Sequence, residues 1–446
     1  MSDAGRPLLL ERVFGLRAAG TTVRTEIVAG LTTFATLSYI IFVQPGVLAA
    51  AGMDFGAVMV ATCLSAALAT LLIGLLANYP IAAAPAMGHN FFFAYTVVIG
   101  MGVPWAVALG ADFVAGVLFI ALAAFRFRER VMDAVPPALR AAIPAGIGLL
   151  IAFVGMQWGG IVVANPGSLV RLGDLTSPPT LLALGGFLLI AMLAARGVRA
   201  SILIGIVVTT VAGLGFGLLG YHGIAARPPS LAPTFLRLDV RGALRPGMIE
   251  VVFVFVFLAV FDTVGTLLGV AAKGGFMREG KLPRAGRALL ADAVGTTAGT
   301  LLGTSTVTAY VESAAGVEAG GRTGLSNMVT ALLLALSVFL FPLAQLVGGS
   351  VMAGDLTLRP VTAAALLAVG YLMVGSLSAV RWDDVTEAVP AFLTVVTMPL
   401  AISIADGLAF GFISYAALKL VTGRAREVHT LAWVFAALFL VRFALA

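Results

Sequence analysis

Two carboxylates stand where an apolar chain can least accommodate them. Asp262 lies in Phe253-Val-Phe-Val-Phe-Leu-Ala-Val-Phe261-Asp-Thr-Val-Gly-Thr266, and residues 248–271 contain no Lys or Arg to neutralise it. Glu312 lies in Gly303-Thr-Ser-Thr-Val-Thr-Ala-Tyr-Val-Glu-Ser-Ala-Ala-Gly-Val317, a polar run whose apolar part is too short to cross a bilayer. A third polar group, Asn90, follows the small residues Ile81-Ala-Ala-Ala-Pro-Ala-Met-Gly88 and precedes Phe91, Phe92 and Phe93. Ionisable groups at membrane depth are costly, so they point to function before structure. Carboxylates accept ring and exocyclic N–H groups, an amide both donates and accepts, and an aromatic ring covers a flat face. Asp262, Glu312, Asn90 and Phe92 together suit a flat polar heterocycle, although another small polar solute fits the same chemistry. Thr266 shares the helical face of Asp262, four residues on. Buried carboxylates also protonate readily, which makes Asp262 and Glu312 candidates for proton coupling. Secondary candidates are His89, Phe91, Thr308 and Asp292. Asp112 and Asp406 read as structural or interfacial, and Arg322 as a turn or gating residue.

These groups must be positioned by membrane helices. Of the 446 residues 60% are hydrophobic and 11% charged, against about 25% charged in soluble domains, and the mean hydropathy is +1.07. The runs are apolar throughout and do not alternate, which favours helices over a barrel. The pattern predicts an all-α polytopic protein of 14 segments. Helices are expected near 25–43, 55–77, 103–125, 138–157, 180–195 and 200–219 in the first half. In the second half they are expected near 248–271, 288–302, 324–347, 361–378, 388–403 and 407–421. Segments 3 and 10 are short half-helices, each preceded by an extended stretch: 81–87 before a helix from about Asn90 to Ile99, and Thr304 to Thr308 before the Glu312 segment. Proline resists helix interiors, so the first helix is expected to end at Gln44-Pro45-Gly46. Residues 158–179 read as an external loop.

Each half repeats the same order, and seven is odd, so the second half starts from the opposite side. That is an inverted repeat, a design that places the substrate where two broken helices meet near the bilayer midplane. The expected divisions are a cytoplasmic N-terminus 1–24, repeats 25–220 and 248–421, an external linker 221–247, and a C-terminal loop and apolar tail 422–446. The tail run 430–445 could lie on the membrane, re-enter it or cross it. With the N-terminus inside, 20 of the 27 Lys and Arg fall on inner segments, including the loop Arg126-Phe-Arg-Glu-Arg130. The net charge of +6 is therefore a topology signal, not a nucleic-acid one. The single cysteine, Cys63, rules out an intramolecular disulfide. The sequence has no metal cluster, Walker-type loop, catalytic triad or cofactor fingerprint, so neither enzyme activity nor a cofactor is expected. The first apolar run reads as an uncleaved helix.

Four stretches carry a resemblance. They are Ala84-Pro-Ala-Met-Gly-His-Asn-Phe-Phe-Phe-Ala-Tyr95, Phe261-Asp-Thr-Val-Gly-Thr266, the 303–313 run with Gly320-Gly-Arg-Thr-Gly324, and Ile404-Ala-Asp-Gly-Leu-Ala-Phe-Gly-Phe-Ile-Ser414. In these the chain resembles permeases of the nucleobase–cation symporter-2 superfamily, in the adenine/guanine/hypoxanthine (AzgA-like) branch. The resemblance implies 14 segments arranged as core and gate domains in the plasma membrane. It also implies proton-coupled uptake of purine bases, with Asn90, Asp262 and Glu312 at substrate-contacting or essential positions. The partners implied are a purine base, a proton and the lipid bilayer; homodimer formation is left open. The branch reads Pro-Gly-Met-Gly-Leu-Asn-Ala in the first broken helix. This chain has Ala86, His89 and Phe91 in place of the Gly, the Leu and the final small residue, which leaves the base preference open. Uracil or xanthine carriage is the alternative, as is a fold-related anion carrier.

Overall fold

The computed structural model describes residues 9–124, 135–221, 223–278 and 281–445. The basic loop 126–130, Arg6 and part of the 273–287 loop lie outside them. Among the described residues nine helices are long and apolar enough to cross a membrane. The protein is a helical, multi-pass membrane protein.

After a short helix α1 (Leu9–Phe14), the first membrane segment comprises α2 (Val23–Leu37) and α3 (Ile40–Ala50). It does not stop at Gln44-Pro45-Gly46 as the sequence suggests. A proline inside a helix forfeits one N–H, and here the helix nevertheless runs through Pro45 from Ile40 to Ala50, with the Gly46 carbonyl accepting from Arg359 Nη1 at 2.8 Å. Next come α4 (Phe55–Leu76), strand β1 (Ala83–Pro85) and α5 (Met87–Phe91). A π-helical stretch, Phe92–Gly100, extends α5. The half-helix thus starts three residues before Asn90, because Ala86, not Asn90, takes the extended N-cap conformation. Then follow α6 (Trp105–Ala124) and α7 (Pro137–Trp158), and the loop after α7 is not irregular: strands β2 (Val162–Asn165) and β3 (Leu169–Leu172) form a hairpin. Helices α8 (Pro178–Ala195) and α9 (Ser201–Gly215) close the first half, the latter four residues short of the expected end.

A short helix, α10 (Val240–Ala243), interrupts the linker, and α11 (Ile249–Gly274) and α12 (Ala285–Leu302) follow. Gly303 ends α12 in the left-handed conformation (φ 98°), and any side chain there would collide with Thr234. That turn releases the chain into strand β4 (Val307–Ala309) and α13 (Ser313–Glu318). Glu312 therefore precedes α13, at its N-cap position, and does not lie within it as the sequence suggests. The second half continues with α14 (Leu325–Leu336), α15 (Phe341–Val347) and a hairpin of β5 (Val351–Ala353) and β6 (Leu356–Leu358). It ends with α16 (Pro360–Val374), α17 (Val385–Ala401), α18 (Ile404–Val421) and α19 (Thr430–Leu445).

The helices pack as two groups. Helices α2, α4, α6, α11, α12 and α14 surround the two strands, while α7, α8, α9, α16, α17 and α18 pack on one another. Outside the membrane segments, Arg424 and then Lys419 hold the Glu427 carboxyl down to about 2.

Candidate functional site

The two extended stretches meet inside the first helix group. Strands β1 and β4 pair antiparallel, with Ala83 opposite Ala309, Ala84 opposite Thr308 and Pro85 opposite Val307. Two strands of three residues leave many main-chain groups over, and lipid offers them no partner. The protein supplies the partners. Thr70 Oγ1 accepts from Ala83 N–H and donates to the Ala83 carbonyl, both at 3.0 Å. Ser313 Oγ accepts from Ala82 N–H at 2.9 Å, and Asn327 Nδ2 donates to the Ile81 carbonyl at 2.7 Å. Thr296 donates to the Val307 carbonyl at 2.5 Å, and Tyr310 to the Pro85 carbonyl at 2.6 Å. Asp112 takes both the Thr306 N–H, at 2.7 Å, and the Thr306 hydroxyl. A crossing braced on every side holds its side chains in fixed positions.

The candidate residues are distributed around this crossing. Asp262, midway along α11, accepts from the Thr308 hydroxyl at 3.0 Å. Glu312 accepts from the Tyr39 hydroxyl at 2.8 Å, and its carbonyl accepts from Thr36 at 3.3 Å. Asn90 is buried and its side-chain oxygen accepts from the Ser305 hydroxyl. Asp292 is buried beside them and accepts from Thr263 at 2.5 Å, its other oxygen having no partner among the described residues. No Lys or Arg pairs with Asp262, Asp292, Glu312 or Asp112 among the described residues.

The aromatic and histidine candidates are packed away from open space. Phe91 stacks on Tyr95 with ring centres 5.4 Å apart, and Phe92 sets its edge against Phe255 at 4.9 Å. Both rings are buried, as is His89, whose Nε2 has no partner among the described residues. Arg322 turns inward and donates to the Val317 and Gly321 carbonyls at 2.8 and 2.7 Å, capping the end of α13. Asp406 stands away from the crossing, in the first turn of α18.

Sequence reasoning passes over the roles of two residues. Gln44 donates to Thr304 at 3.1 Å and Ser305 at 3.0 Å, fixing the stretch that leads into β4. Tyr39 holds Glu312. Asp112, which reads from sequence as structural or interfacial, is fully buried and anchors Thr306. The available signal is the same one that marks Asp262: a lone polar side chain in an apolar helix.

Accessibility shows where a solute could reach the crossing. Asp262 is exposed although protein surrounds it, and Gly265, Gly269 and Lys273 are exposed on the same helical face. A side chain built at Gly265 or Gly269 would meet nothing within 4 Å among the described residues. Val311, beside Glu312, is 60% exposed. A face carrying an acid, two glycines and a lysine is unsuited to lipid, so a watery cleft is expected to run from Asp262 to the Lys273 end of α11. Lys273 and Arg199 each lie 3.7 Å from Glu318 at that end. Cysteine placed at Gly265 or Gly269 is accordingly expected to react with a membrane-impermeant maleimide added from the Lys273 side. The buried native Cys63 supplies a silent background. Failure of both positions to react from either side would disprove the cleft.

A helical membrane protein with a braced strand crossing, and with acids beside it that no Lys or Arg pairs with among the described residues, has the form of a membrane carrier. The chain belongs to the Permease family whose model is called Xan_ur_permease, which matches residues 24–410. It is 47% identical to the adenine permease AdeP of Escherichia coli over 97% of this chain and 96% of that protein. It is 44% identical to the guanine/hypoxanthine permease PbuG of Bacillus subtilis, over 97% and 99%. Among solved structures, the transmembrane domain of the cyanobacterial bicarbonate transporter BicA superposes with a TM-score of 0.64 at 18% identity, covering 86% of this chain and 97% of that one. That likeness is one of fold alone.

Proposed function

We propose that the protein is a secondary active transporter that imports purine nucleobases by proton symport. The observation that carries the chemistry is the pair of carboxylates at the strand crossing, each oriented by a hydroxyl, Thr308 for Asp262 and Tyr39 for Glu312. A purine presents ring and exocyclic N–H groups on its edge, and a fixed carboxylate accepts them. The adenine and guanine/hypoxanthine permeases to which the chain is similar along nearly its whole length support purines over other heterocycles. Anions are disfavoured because Asp262 and Glu312 repel them. Asp262 and Glu312 are the substrate ligands and the proton-coupling groups; Asn90, Thr266 and Thr308 complete the polar lining.

The mechanism follows from the geometry. A base enters the cleft, exchanges water for the carboxylate and hydroxyl groups, and is released to the other side when the helix group holding the crossing moves against the second group. The proposed architecture is a 7+7 inverted repeat of 14 segments, with segments 3 and 10 as half-helices. Residues 25–220 and 248–421 form the repeats, 221–247 the external linker, and 1–24 and 422–446 the flanking stretches. The N-terminus is cytoplasmic, the membrane is the plasma membrane, and the cleft beside Lys273 opens inward.

A radiolabelled uptake panel of adenine, guanine, hypoxanthine, xanthine and uracil tests this reading. Purines are expected to compete for uptake, and a protonophore to collapse accumulation. If no purine competes, the substrate class is wrong; if accumulation survives the protonophore, the coupling ion is wrong.

A further inference from the structure

We propose that the tail helix α19 is an additional membrane crossing that straps the Asp262 helix to the second helix group, with Arg442 as the positioning residue of the strap. The position of α19 is the first argument. It begins beside the end of α18, where Lys419 pairs with Glu427 at 2.9 Å. It ends beside the start of α18, where Arg442 Nη1 lies 2.7 Å from Asp406. The two helices therefore run antiparallel along their full lengths, and α18 is itself apolar and long enough to span. A chain that follows a spanning helix from one end to the other has crossed the same slab. The 16 residues of α19 reach roughly 24 Å, most of the hydrocarbon thickness.

The faces of α19 agree with this path. Ala432, Phe435, Ala436 and Phe439 are buried, at helical spacing, while Val434, Leu438, Leu440 and Val441 are exposed. The outward face is thus as apolar as the inward one, which suits lipid and not water.

The inward face touches both helix groups. The Phe435 ring lies 5.2 Å from Phe253 and 5.9 Å from Phe257 on α11, and 5.4 Å from Phe412 on α18. Phe439 bridges the same helices, 6.3 Å from Phe253 and 6.2 Å from Phe412. One turn further on, Arg442 repeats the bridge with charge. Its Nε lies 2.8 Å from Glu250 of α11, while its Nη1 faces Asp406 of α18 as an ion contact without hydrogen-bond alignment. Glu250 stands on the same helix as Asp262, about three turns earlier. Any movement of α11 against α18 must stretch or remake these contacts, so Arg442 acts on the site through the helix and not by touching substrate.

The strap's effect on uptake rests on the transporter reading above, but its path and its labelling test do not. Reporter proteins fused after Ala446 read the path. Alkaline phosphatase fused there is expected to be active and green fluorescent protein dark, with the Lys273 side taken as cytoplasmic from the maleimide labelling of Gly269→Cys. A dark phosphatase with a bright fluorescent fusion would overturn the crossing. Arg442→Gln in the Gly265→Cys background is expected to change the maleimide labelling rate by roughly twofold to fivefold. The paired swap Arg442→Glu with Glu250→Arg should return part of that change. Loss of folded protein alone lowers the labelled amount without altering the rate. Unchanged rates in both variants would show that α19 crosses without acting as a strap, and would leave the nucleobase reading to its own panel.

Discussion

Asp262→Asn is expected to abolish concentrative uptake while leaving the amount of folded protein in the membrane near that of the wild type. Asparagine has the same shape, and its side-chain oxygen can still accept from the Thr308 hydroxyl that holds Asp262 at 3.0 Å. What is lost is charge. A hydrogen bond to a charged group is worth about 1.5–3 kcal/mol, so substrate should bind about 10- to 100-fold more weakly. The ability to carry a proton is lost as well, which removes accumulation even where exchange of substrate persists. Glu312→Gln should fail to accumulate substrate for the same reason. Tyr39→Phe provides a graded control: it removes one hydroxyl from Glu312 and leaves the charge, so about a fivefold to tenfold loss is expected, not abolition. Uptake of labelled hypoxanthine or adenine, normalised to protein in the membrane, reads all three. Wild-type accumulation by both acid variants would mean that the site has been assigned to the wrong residues.

Asp262 and Glu312 were legible in the sequence because burial cost is local information. A carboxylate in a run such as Phe253 to Phe261 has no cheap explanation, and a polar stretch too short to span demands a partner. The small, proline-marked stretch 81–87 was a readable partner for the same reason. The residues that brace the crossing were not legible, because their roles depend on distant chain. Gln44 and Thr304 are separated by 260 positions, and Asp112 and Thr306 by 194. Nothing in the neighbourhood of either residue announces such a meeting. The three phenylalanines after Asn90 are a different case. Aromatic rings suggest stacking on a flat ligand, but the rings of Phe91 and Phe92 found Tyr95 and Phe255. The path of the first helix through Pro45 was hidden because a proline costs a helix a single N–H, a loss that packing by distant chain offsets.

The same logic makes Asp112 the residue whose loss should disturb the fold most. It is fully buried, and it answers both the main-chain N–H and the hydroxyl of Thr306, immediately ahead of β4. Asp112→Ala leaves two fully buried donors without their acceptor. At about 1–3 kcal/mol for each orphaned group, the expected cost is about 2–6 kcal/mol. Thr306→Val removes one donor and keeps the other bonded, so alone it should cost about 1 kcal/mol. The double variant should be less destabilised than the sum, because with the hydroxyl already removed by Thr306→Val the loss of the carboxylate orphans only the main-chain N–H; a shortfall of about 1 kcal/mol is expected. Asp112→Asn should fall between wild type and Asp112→Ala, since its single oxygen can serve one donor while its NH2 faces the other. Thermal unfolding in detergent reads the stabilities. Uptake by the surviving protein reads the consequence for function, because β4 also carries the Thr308 hydroxyl that aims Asp262. Strict additivity of Asp112→Ala and Thr306→Val, or wild-type stability of Asp112→Ala, would show that the extended segment is held from elsewhere. Loss of stability together with weaker uptake in Asp112→Ala, and of far less in Thr306→Val, would show that one buried acid in α6 sets the position of another acid in α11 through a strand of three residues.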